Sequence, residues 1–368
     1  QKIHGASSLY FDGDGDALSI NNADTLNGDF TFETWINLKN IPAESEFTLP
    51  SEVSSSAIDG ELLEITEDTT LEYTDDRISA LTTNTITLTS KSGSDFKTNQ
   101  RLLIITTYGA NADTIGNYEF VEIASINGNV LTLKSNIQKT YDVANYTFVV
   151  APKRYNKIIV NEDVNVSSVA WSASSDSIQG LVLLSANEIQ VKGQISANEL
   201  GFRGGTVGTT SNKNGGIGES YVVGKWNTRS TNGQYGSGGG GVYYNRGSGG
   251  DIGTSGAGAG HGTSGTGGSS WYSSGNAKGG TAFALDTIKE KIFMGPGGGQ
   301  GGSDNANPHD SRSARGGYGG RGAGIVIIDA IYCEVSETGI ISANGQRGLE
   351  AYDPGNGEAG NGGGGAGG

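Results

Sequence analysis

The sequence is poor in sulfur and in basic residues. Cys333 is the only cysteine and there is one methionine among 368 residues. A disulfide within the chain is therefore excluded, as is a metal site built from several cysteines. Lysine and arginine total 24 against 39 acidic residues, which gives a formal net charge of −15. This charge opposes binding to nucleic acid and to anionic membrane surfaces, so neither is expected as a partner.

The sequence also lacks long apolar runs and catalytic motifs. No run approaches the ~20 apolar residues that cross a bilayer as a helix, so the chain is not expected to span a membrane. His4, His261 and His309 have no metal-ligand spacing, and neither a Gly-x-Ser-x-Gly elbow nor a phosphate-binding loop occurs. We therefore predict a protein that is not an enzyme.

Glycine is abundant and unevenly distributed. Of the 63 glycines, 11 precede residue 201 and 52 fall in the last 168 residues. The first half instead has the Ile, Val, Leu and Thr content of an ordinary β-protein, whereas the second lies far outside normal glycine usage. The chain therefore has two compositional halves.

Short alternating segments predict antiparallel strands before the glycine-rich half. Residues 1–40 read as two or three strands of jelly-roll type, and residues 57–155 as a β-strand domain. Asn127-Gly128 lies between two such segments and is the strongest short hairpin signal in the sequence.

An internal repeat marks residues 156–368 as a third domain, a glycine-rich β-repeat domain that is open-ended at its C-terminus. The segment 180–198 matches the segment 324–345, which contains a two-residue insertion. Each copy consists of an apolar strand, a turn, a second strand and then Ile-Ser-Ala-Asn. Such units are typical of stacked coils, so we predict an all-β fold leading into a β-solenoid-like repeat. Cys333 alternates with apolar neighbours and is expected to be buried.

The glycine-rich segment between the two copies, 201–323, has three physical interpretations. A flexible coil is the usual behaviour of Gly/Ser-rich sequence, and Arg-Gly-Gly steps such as those at 315–321 occur in RNA-binding tails. The third interpretation is ordered glycine, with polyproline-II-like strands packed side by side. Stacking of the flanking copies would require the intervening chain to be compact, so we favour ordered glycine.

Three carboxylates cluster near the N-terminus, at Asp12, Asp14 and Asp16. Calcium takes oxygen ligands from clusters of this kind, although the sequence does not match the EF-hand loop pattern. The alternative to a calcium site is a solvated turn, and no other cofactor is expected.

Two stretches resemble known families. The block GNYEFVEIASINGNVLTLKSNIQKTYDVANYTFVVAPKRYNKIIV at 116–160 resembles a module of secreted surface adhesins of Bacteroidota. GFRGG, GGIGES and FMGPGGGQGG follow it in the order seen in that family. Residues 8–38 resemble the first strands of a laminin-G-like, concanavalin A-like jelly roll, with Leu9 to Gly13 and Phe30 to Trp35 carrying the pattern.

The resemblance implies a non-enzymatic, secreted cell-surface adhesin or filament segment. Some members of that family serve gliding motility and are exported by type IX secretion, so secretion or surface-anchoring machinery is an expected partner. The start at Gln1 is consistent with removal of a signal peptide or with truncation, and we expect a segment of a larger protein. The rival interpretations are a phage tail-fibre receptor-binding protein and a glycan-active enzyme on a β-helix.

Large aromatic residues interrupt the glycine-rich segment and are the predicted ligand-binding residues. Flat rings stack on apolar sugar faces while hydroxyl and indole N–H groups bond to polar ones, so a surface polysaccharide or glycan is the expected ligand. The alternative is that the rings fill gaps between glycine strands. The residues are Trp226, Tyr235, Tyr243, Tyr244, Trp271 and Tyr272.

Overall fold

The computed structural model divides the chain into two compact units, Gln1–Val53 and Ser54–Gly368. It describes residues 58–173, 175–206, 214–222, 226–233, 235–241, 243–244, 252–268, 277–282, 290–302, 316–351 and 361–367, all in the second unit. The predicted jelly-roll strands of 1–40, with Asp12, Asp14 and Asp16, lie outside the described residues. So do Trp271 and Tyr272.

The described part of the chain is built from strands, and the prediction of an all-β fold is confirmed. A 3-10 turn covers Gly93–Asp95. The strands are β1 Gly60–Ile65, β2 Thr69–Thr70, β3 Thr74–Leu81, β4 Thr85–Leu88, β5 Arg101–Tyr108, β6 Tyr118–Asn127, β7 Val130–Leu133, β8 Tyr146–Ala151, β9 Arg154–Val160, β10 Asn165–Ser167, β11 Leu181–Val191, β12 Gln194–Ser196, β13 Tyr243–Tyr244, β14 Ile252–Gly253, β15 Ile325–Val335 and β16 Ile340–Ser342.

Six strands close into an antiparallel barrel in the order β3-β4-β7-β6-β5-β8. Alternate residues of each strand point inward, and Ile86, Ile104 and Leu131 are fully buried there. The predicted hairpin is confirmed: β6 pairs with β7, and Gly128 takes the left-handed φ of +61° that the tight turn requires. The barrel lies within the predicted 57–155 domain, but β1 and β2 of that segment belong to another part of the fold.

Eight of the remaining strands form two parallel sheets. Both sheets follow the same chain order, β1-β9-β11-β15 in the longer one and β2-β10-β12-β16 in the shorter one. The two sequence repeats lie side by side, with Leu181 opposite Ile325 and Gln194 opposite Ile340. The partner of Gln194 lies two residues further along the chain than the pairing of Leu181 would predict. This shift is caused by the two-residue insertion seen in the sequence. Apolar residues of the two sheets, such as Ile189 of β11 and Ile195 of β12, are buried together in one core.

The expectation that Cys333 is buried is wrong. Cys333 is exposed, and its neighbours Ile331 and Val335 are 51% and 45% exposed. The alternation of apolar residues predicted a strand correctly, but β15 is the last strand of its sheet among the described residues. β11 has a strand on each side, β9 and β15, whereas no described strand lies on the outer side of β15, so the C-terminal half of β15 stays exposed.

Seven segments from the glycine-rich half hydrogen-bond to one another through their backbones, and we call them the glycine bundle. The central segment is 295–302. Six outer segments surround it in a closed ring, and each is hydrogen-bonded to the next. In ring order they are 201–206, 214–220, 237–241, 254–260, 361–367 and 316–323.

The hydrogen bonds of the central segment repeat every three residues. Gly297 donates its N–H to Glu219 at 2.9 Å, and three residues later Gln300 donates to Gly216 of the same outer segment at 2.9 Å. The other residues donate to two further outer segments with the same spacing of three. Gly298 donates to Gly320 and Gly301 to Gly317, while Gly299 donates to Ala257 and Gly302 to Thr254. Successive N–H groups therefore point in three directions around the segment axis.

The close approach of these backbones explains the glycine content. A Cβ atom on Gly297 would lie 2.0 Å from the carbonyl oxygen of Arg203, and one on Gly299 would lie 1.9 Å from that of Gly239. Real Cβ atoms do not approach oxygen so closely, so any side chain would force the segments apart. Glycine at these positions is a packing requirement rather than a source of flexibility.

One end of the glycine bundle rests on an apolar core shared with the barrel and the sheet. Phe202 and Phe293, at the ends of an outer and the central segment, are 0% and 5% exposed and join the cluster that contains Trp171 and Tyr108. The Trp171 and Phe202 rings meet edge to face with centroids 5.4 Å apart. We call this the proximal end of the bundle and the opposite one the distal end.

Candidate ligand-binding surfaces

Strand direction within the bundle decides which chain connections lie together. As the residue number of the donor increases along the central segment, the residue number of its acceptor in 214–220 decreases, so these two segments are antiparallel. The segments 254–260, 316–323 and 361–367 are antiparallel to it by the same criterion. Gly238 and Gly241 donate to Gly297 and Gln300, so 237–241 is parallel to the central segment, as is 201–206.

Five breaks in the described chain therefore begin and end at the distal end of the bundle. The chain ends on either side of these breaks are Thr206 and Asn214, Tyr244 and Ile252, Gly268 and Ala277, Gly302 and Gly316, and Ala351 and Asn361, and the chain between each pair lies outside the described residues. Among the described residues, it is the proximal end that joins the apolar core. The described ends of these connections therefore lie together at one end of the bundle.

Asparagine side chains hold chain ends at the distal end. The Asn227 Oδ1 atom accepts the backbone N–H of Thr206 at 2.6 Å, and its Nδ2 atom donates to the Thr206 hydroxyl at 3.2 Å. Asn361 Oδ1 accepts the N–H of Ala351 at 2.9 Å. These bonds satisfy backbone groups at the points where the bundle ends.

Trp226 lies on the flank of the bundle, where its polar group is already used. The indole Nε1 donates to the Gly204 carbonyl at 3.0 Å, and the Arg203 guanidinium carbon lies 3.6 Å from the ring centroid. Arg203 makes two bonds to buried Glu219, at 2.9 and 2.8 Å. Burial opposes the charge on Arg203, but the hydrogen bonds and charge of Glu219 outweigh burial and raise its pKa. The group is a packed cation–π arrangement.

Tyr235 lies near the proximal end and is 46% exposed. Its φ of 48° is left-handed, and its carbonyl accepts the Ser220 hydroxyl. Its ring lies 5.7 Å from that of Tyr221. Burial, with a smaller contribution from Tyr235, raises the pKa of Tyr221 to about 12. Tyr235 therefore offers a partly exposed ring on a second, separate surface.

Tyr243 and Tyr244 form β13, which pairs with β14 where the chain leaves and re-enters the distal end. Among the described residues, the predicted aromatic set is thus spread over three places: Tyr243 and Tyr244 distally, Trp226 on the flank and Tyr235 proximally.

A polar cavity on the barrel was not predicted from the sequence. It has a volume of about 380 Å³ and is lined by Asn111, Asp113, Thr114, Asn117, Lys139, Thr140 and Glu290. Lys291 fixes one wall by donating from Nζ to the Asp113 carbonyl at 2.6 Å. The Asn-x-Asp-Thr turn is its sole local sequence signal, since the residues come from three separated segments.

Neither a metal cluster nor a spanning helix occurs in the described part of the chain. No three His, Cys, Asp or Glu side chains there are grouped so as to hold a metal ion. No helix among these residues is long and apolar enough to cross a membrane.

The chain matches no protein-family model and no curated protein. A solved structure with local similarity is a tailspike of Acinetobacter baumannii bacteriophage AP22, in complex with A. baumannii capsular saccharide. The similarity has 13% identity, covers 38% of this chain and 27% of the tailspike chain, and has a TM-score of 0.19. This likeness is too low to indicate a common fold.

Proposed function

We propose that the protein is a non-enzymatic, secreted adhesin or filament segment of the cell surface that binds polysaccharide through the distal end of its glycine bundle. The surface location and the export machinery follow from the resemblance to Bacteroidota adhesins. The binding end follows from the bundle topology.

The framework that we propose is a short β-solenoid carrying a polyproline-II bundle. Paired parallel strands that recur in the same order, with repeats in register, are what stacked coils require. A hydrogen-bond direction that returns every three residues is the period of a polyproline II helix. Both elements are fixed by backbone contacts, which makes the framework rigid.

The observation that carries the proposal is that five pairs of described chain ends lie together at the distal end. Binding residues are commonly carried by connections that a rigid scaffold positions, because the scaffold reduces the entropy lost on binding. Here the proximal end supplies the anchorage and leaves the opposite end for contact. The net charge of −15 favours a neutral rather than an acidic polysaccharide.

Replacement of both distal tyrosines tests the proposal. The double variant Tyr243→Ala/Tyr244→Ala is compared with the parent chain on an array of cell-surface polysaccharides. The control is Val169→Ala, which shortens an apolar side chain that is 49% exposed and lies outside the bundle and outside both sheet edges. We expect the distal variant to lose binding at an unchanged melting temperature while the control binds as the parent does. Equal binding by all three proteins would refute the distal site.

A further inference from the structure

Among the described residues, the longer parallel sheet ends in two edges without a further strand, at β1 and at β15. Its order is β1-β9-β11-β15, and no strand of the described residues pairs with the outer side of either terminal strand. An edge strand presents unpaired N–H and C=O groups that can pair with another strand. Because all four strands are parallel, the unpaired backbone groups of β1 and those of β15 face opposite ways across the sheet, so the β1 edge of one copy can pair with the β15 edge of another.

The β15 edge exposes a set of apolar side chains. Five of them are between 40% and 56% exposed, on two strands that follow each other in the chain. They are Ile331 at 51%, Tyr332 at 56%, Val335 at 45%, Ile340 at 53% and Ile341 at 40%. An edge with several exposed apolar side chains is a candidate interaction site.

The β1 edge has a matching apolar residue at the same register position. The pairings place Leu62 beside Lys157, Lys157 beside Glu188, and Glu188 beside Tyr332. Leu62 is 51% exposed at one edge and Tyr332 is 56% exposed at the other. A strand that continues the sheet beyond β15 in the same register therefore puts Leu62 of a second copy on Tyr332.

The same register brings other residues into favourable positions. Leu63 of the added copy lies on Cys333, and Ile65 lies on Val335, which extends the Val160 and Val191 row of the existing sheet. In the shorter sheet, Thr69 of the added copy falls on Ile341. Each of these three contacts would extend a row of neighbouring strand residues that already pack against one another within one copy.

We propose that the occupant of the β15 edge is the β1 edge of a second copy of this chain, in parallel and in register. The contact is heterologous, since different surfaces of the two copies meet, and it leaves one open edge at each end of the pair. Repetition adds molecules head to tail. The inference rests on the sheet edges and is independent of the glycan-binding proposal.

Like charges oppose this contact and limit its strength. The register puts Glu64 of one copy opposite Glu334 of the other. Directly opposed like charges on neighbouring strands are destabilising, and charged residues on edges are a common means of restraining association. Association should therefore increase with salt and with neutralisation of the pair.

Complementation between two blocked variants tests the proposal in the full chain by sedimentation velocity over a concentration series. Leu62→Asp blocks the β1 edge, and Tyr332→Asp blocks the β15 edge. Both residues are exposed, and unchanged melting temperatures and circular dichroism verify that the variants fold. We expect each variant alone to stay monomeric and an equimolar mixture to give a dimer that does not grow. Glu64→Gln/Glu334→Gln should associate at several-fold lower concentration than the parent.

Three results would overturn the proposal. The first is a monomer at all concentrations for both the parent and the Glu64→Gln/Glu334→Gln variant. The second is parent association that Leu62→Asp leaves unchanged, which would mean that β15 pairs with itself or with another surface. The third is a mixture of the two blocked variants that remains monomeric while the parent associates.

Discussion

Individual glycines of the bundle differ in what they contribute, because adjacent positions face different surroundings. At Gly363 a Cβ atom would lie 2.0 Å from the Ala257 carbonyl oxygen, whereas at Gly364 the nearest atom would be 3.6 Å away. Ala366 already occupies one position of the same segment. The requirement for glycine is therefore set by the neighbouring backbone at each position.

This contrast gives a matched pair of variants. Gly363→Ala should lower the free energy of unfolding by about 1–3 kcal/mol or more, because the added methyl group overpacks a backbone contact. Gly364→Ala should be neutral or stabilise by about 0.4–1 kcal/mol, since it reduces the entropy of the unfolded chain without a clash. Denaturant unfolding of both proteins measures the difference. Equal effects would contradict close backbone packing.

Asp76 is a buried carboxylate with four donors. Its two oxygens accept the N–H groups of Arg77, Ser90 and Lys91 and the Ser90 hydroxyl, all at 2.7–2.9 Å. Burial alone would raise the pKa of Asp76, but these hydrogen bonds outweigh it and hold the pKa below its ordinary value. The ionised form therefore stabilises the barrel.

The sign of this shift fixes a pH dependence. A lowered folded-state pKa means that the stabilisation is complete above the unfolded value of ~3.9 and is lost as the pH falls through the folded value. Asp76→Asn should cost roughly 1.5–3 kcal/mol at pH 7, and the difference from the parent should shrink in acid. Asp176→Asn is the control, because its side chain is 92% exposed. A pH-independent difference for Asp76→Asn would contradict the assignment.

At the scale of elements, one polar network joins the barrel to the parallel sheet. Arg101 of β5 makes two bonds to Asp329 of β15, at 3.0 and 3.1 Å. Arg154 of β9 and Ser185 of β11 also donate to Asp329, at 3.3 and 2.8 Å. The Arg154 and Asp329 side chains are only 8% and 12% exposed. Four strands from two substructures thus depend on one carboxylate.

Removal of that carboxylate should be costly. Asp329→Asn leaves two partly buried guanidinium groups without their counter-charge, so we expect a loss of roughly 3–5 kcal/mol. Glu337→Gln is the control, since Glu337 is exposed in the turn after β15. Thermal unfolding at constant pH distinguishes the two variants. A loss for Asp329→Asn no larger than that of the control would show that the network is not structural.

Local pattern was sufficient to predict some of these elements. The Asn127-Gly128 hairpin and the pairing of the two repeats follow from residue types and spacing, because each depends on neighbours in sequence or on self-similarity. Closure of the barrel and the ring of six glycine segments could not be predicted. Both depend on contacts between residues far apart in the chain, and glycine carries no side-chain periodicity that marks its partners. The polar cavity with Asp113 and Glu290 was missed for the same reason.

The described part of the chain combines three substructures around a shared apolar core. The barrel, the stacked parallel strands and the proximal end of the glycine bundle all contribute residues to one cluster, among them Phe148, Leu183 and Phe293. This core fixes one end of the bundle. The proposed binding end therefore belongs to the glycine bundle, and the proposed head-to-tail edge belongs to the parallel sheets.

Hydrogen exchange of the central segment, 295–302, tests this account most directly. Every N–H from Gly297 to Gly302 is hydrogen-bonded to another segment, and all eight residues are buried. We predict slow exchange for a peptide covering this segment, comparable to that of β11, while a peptide around exposed Gly262 exchanges rapidly. Exchange of the central segment at the rate of an unstructured glycine chain would contradict it.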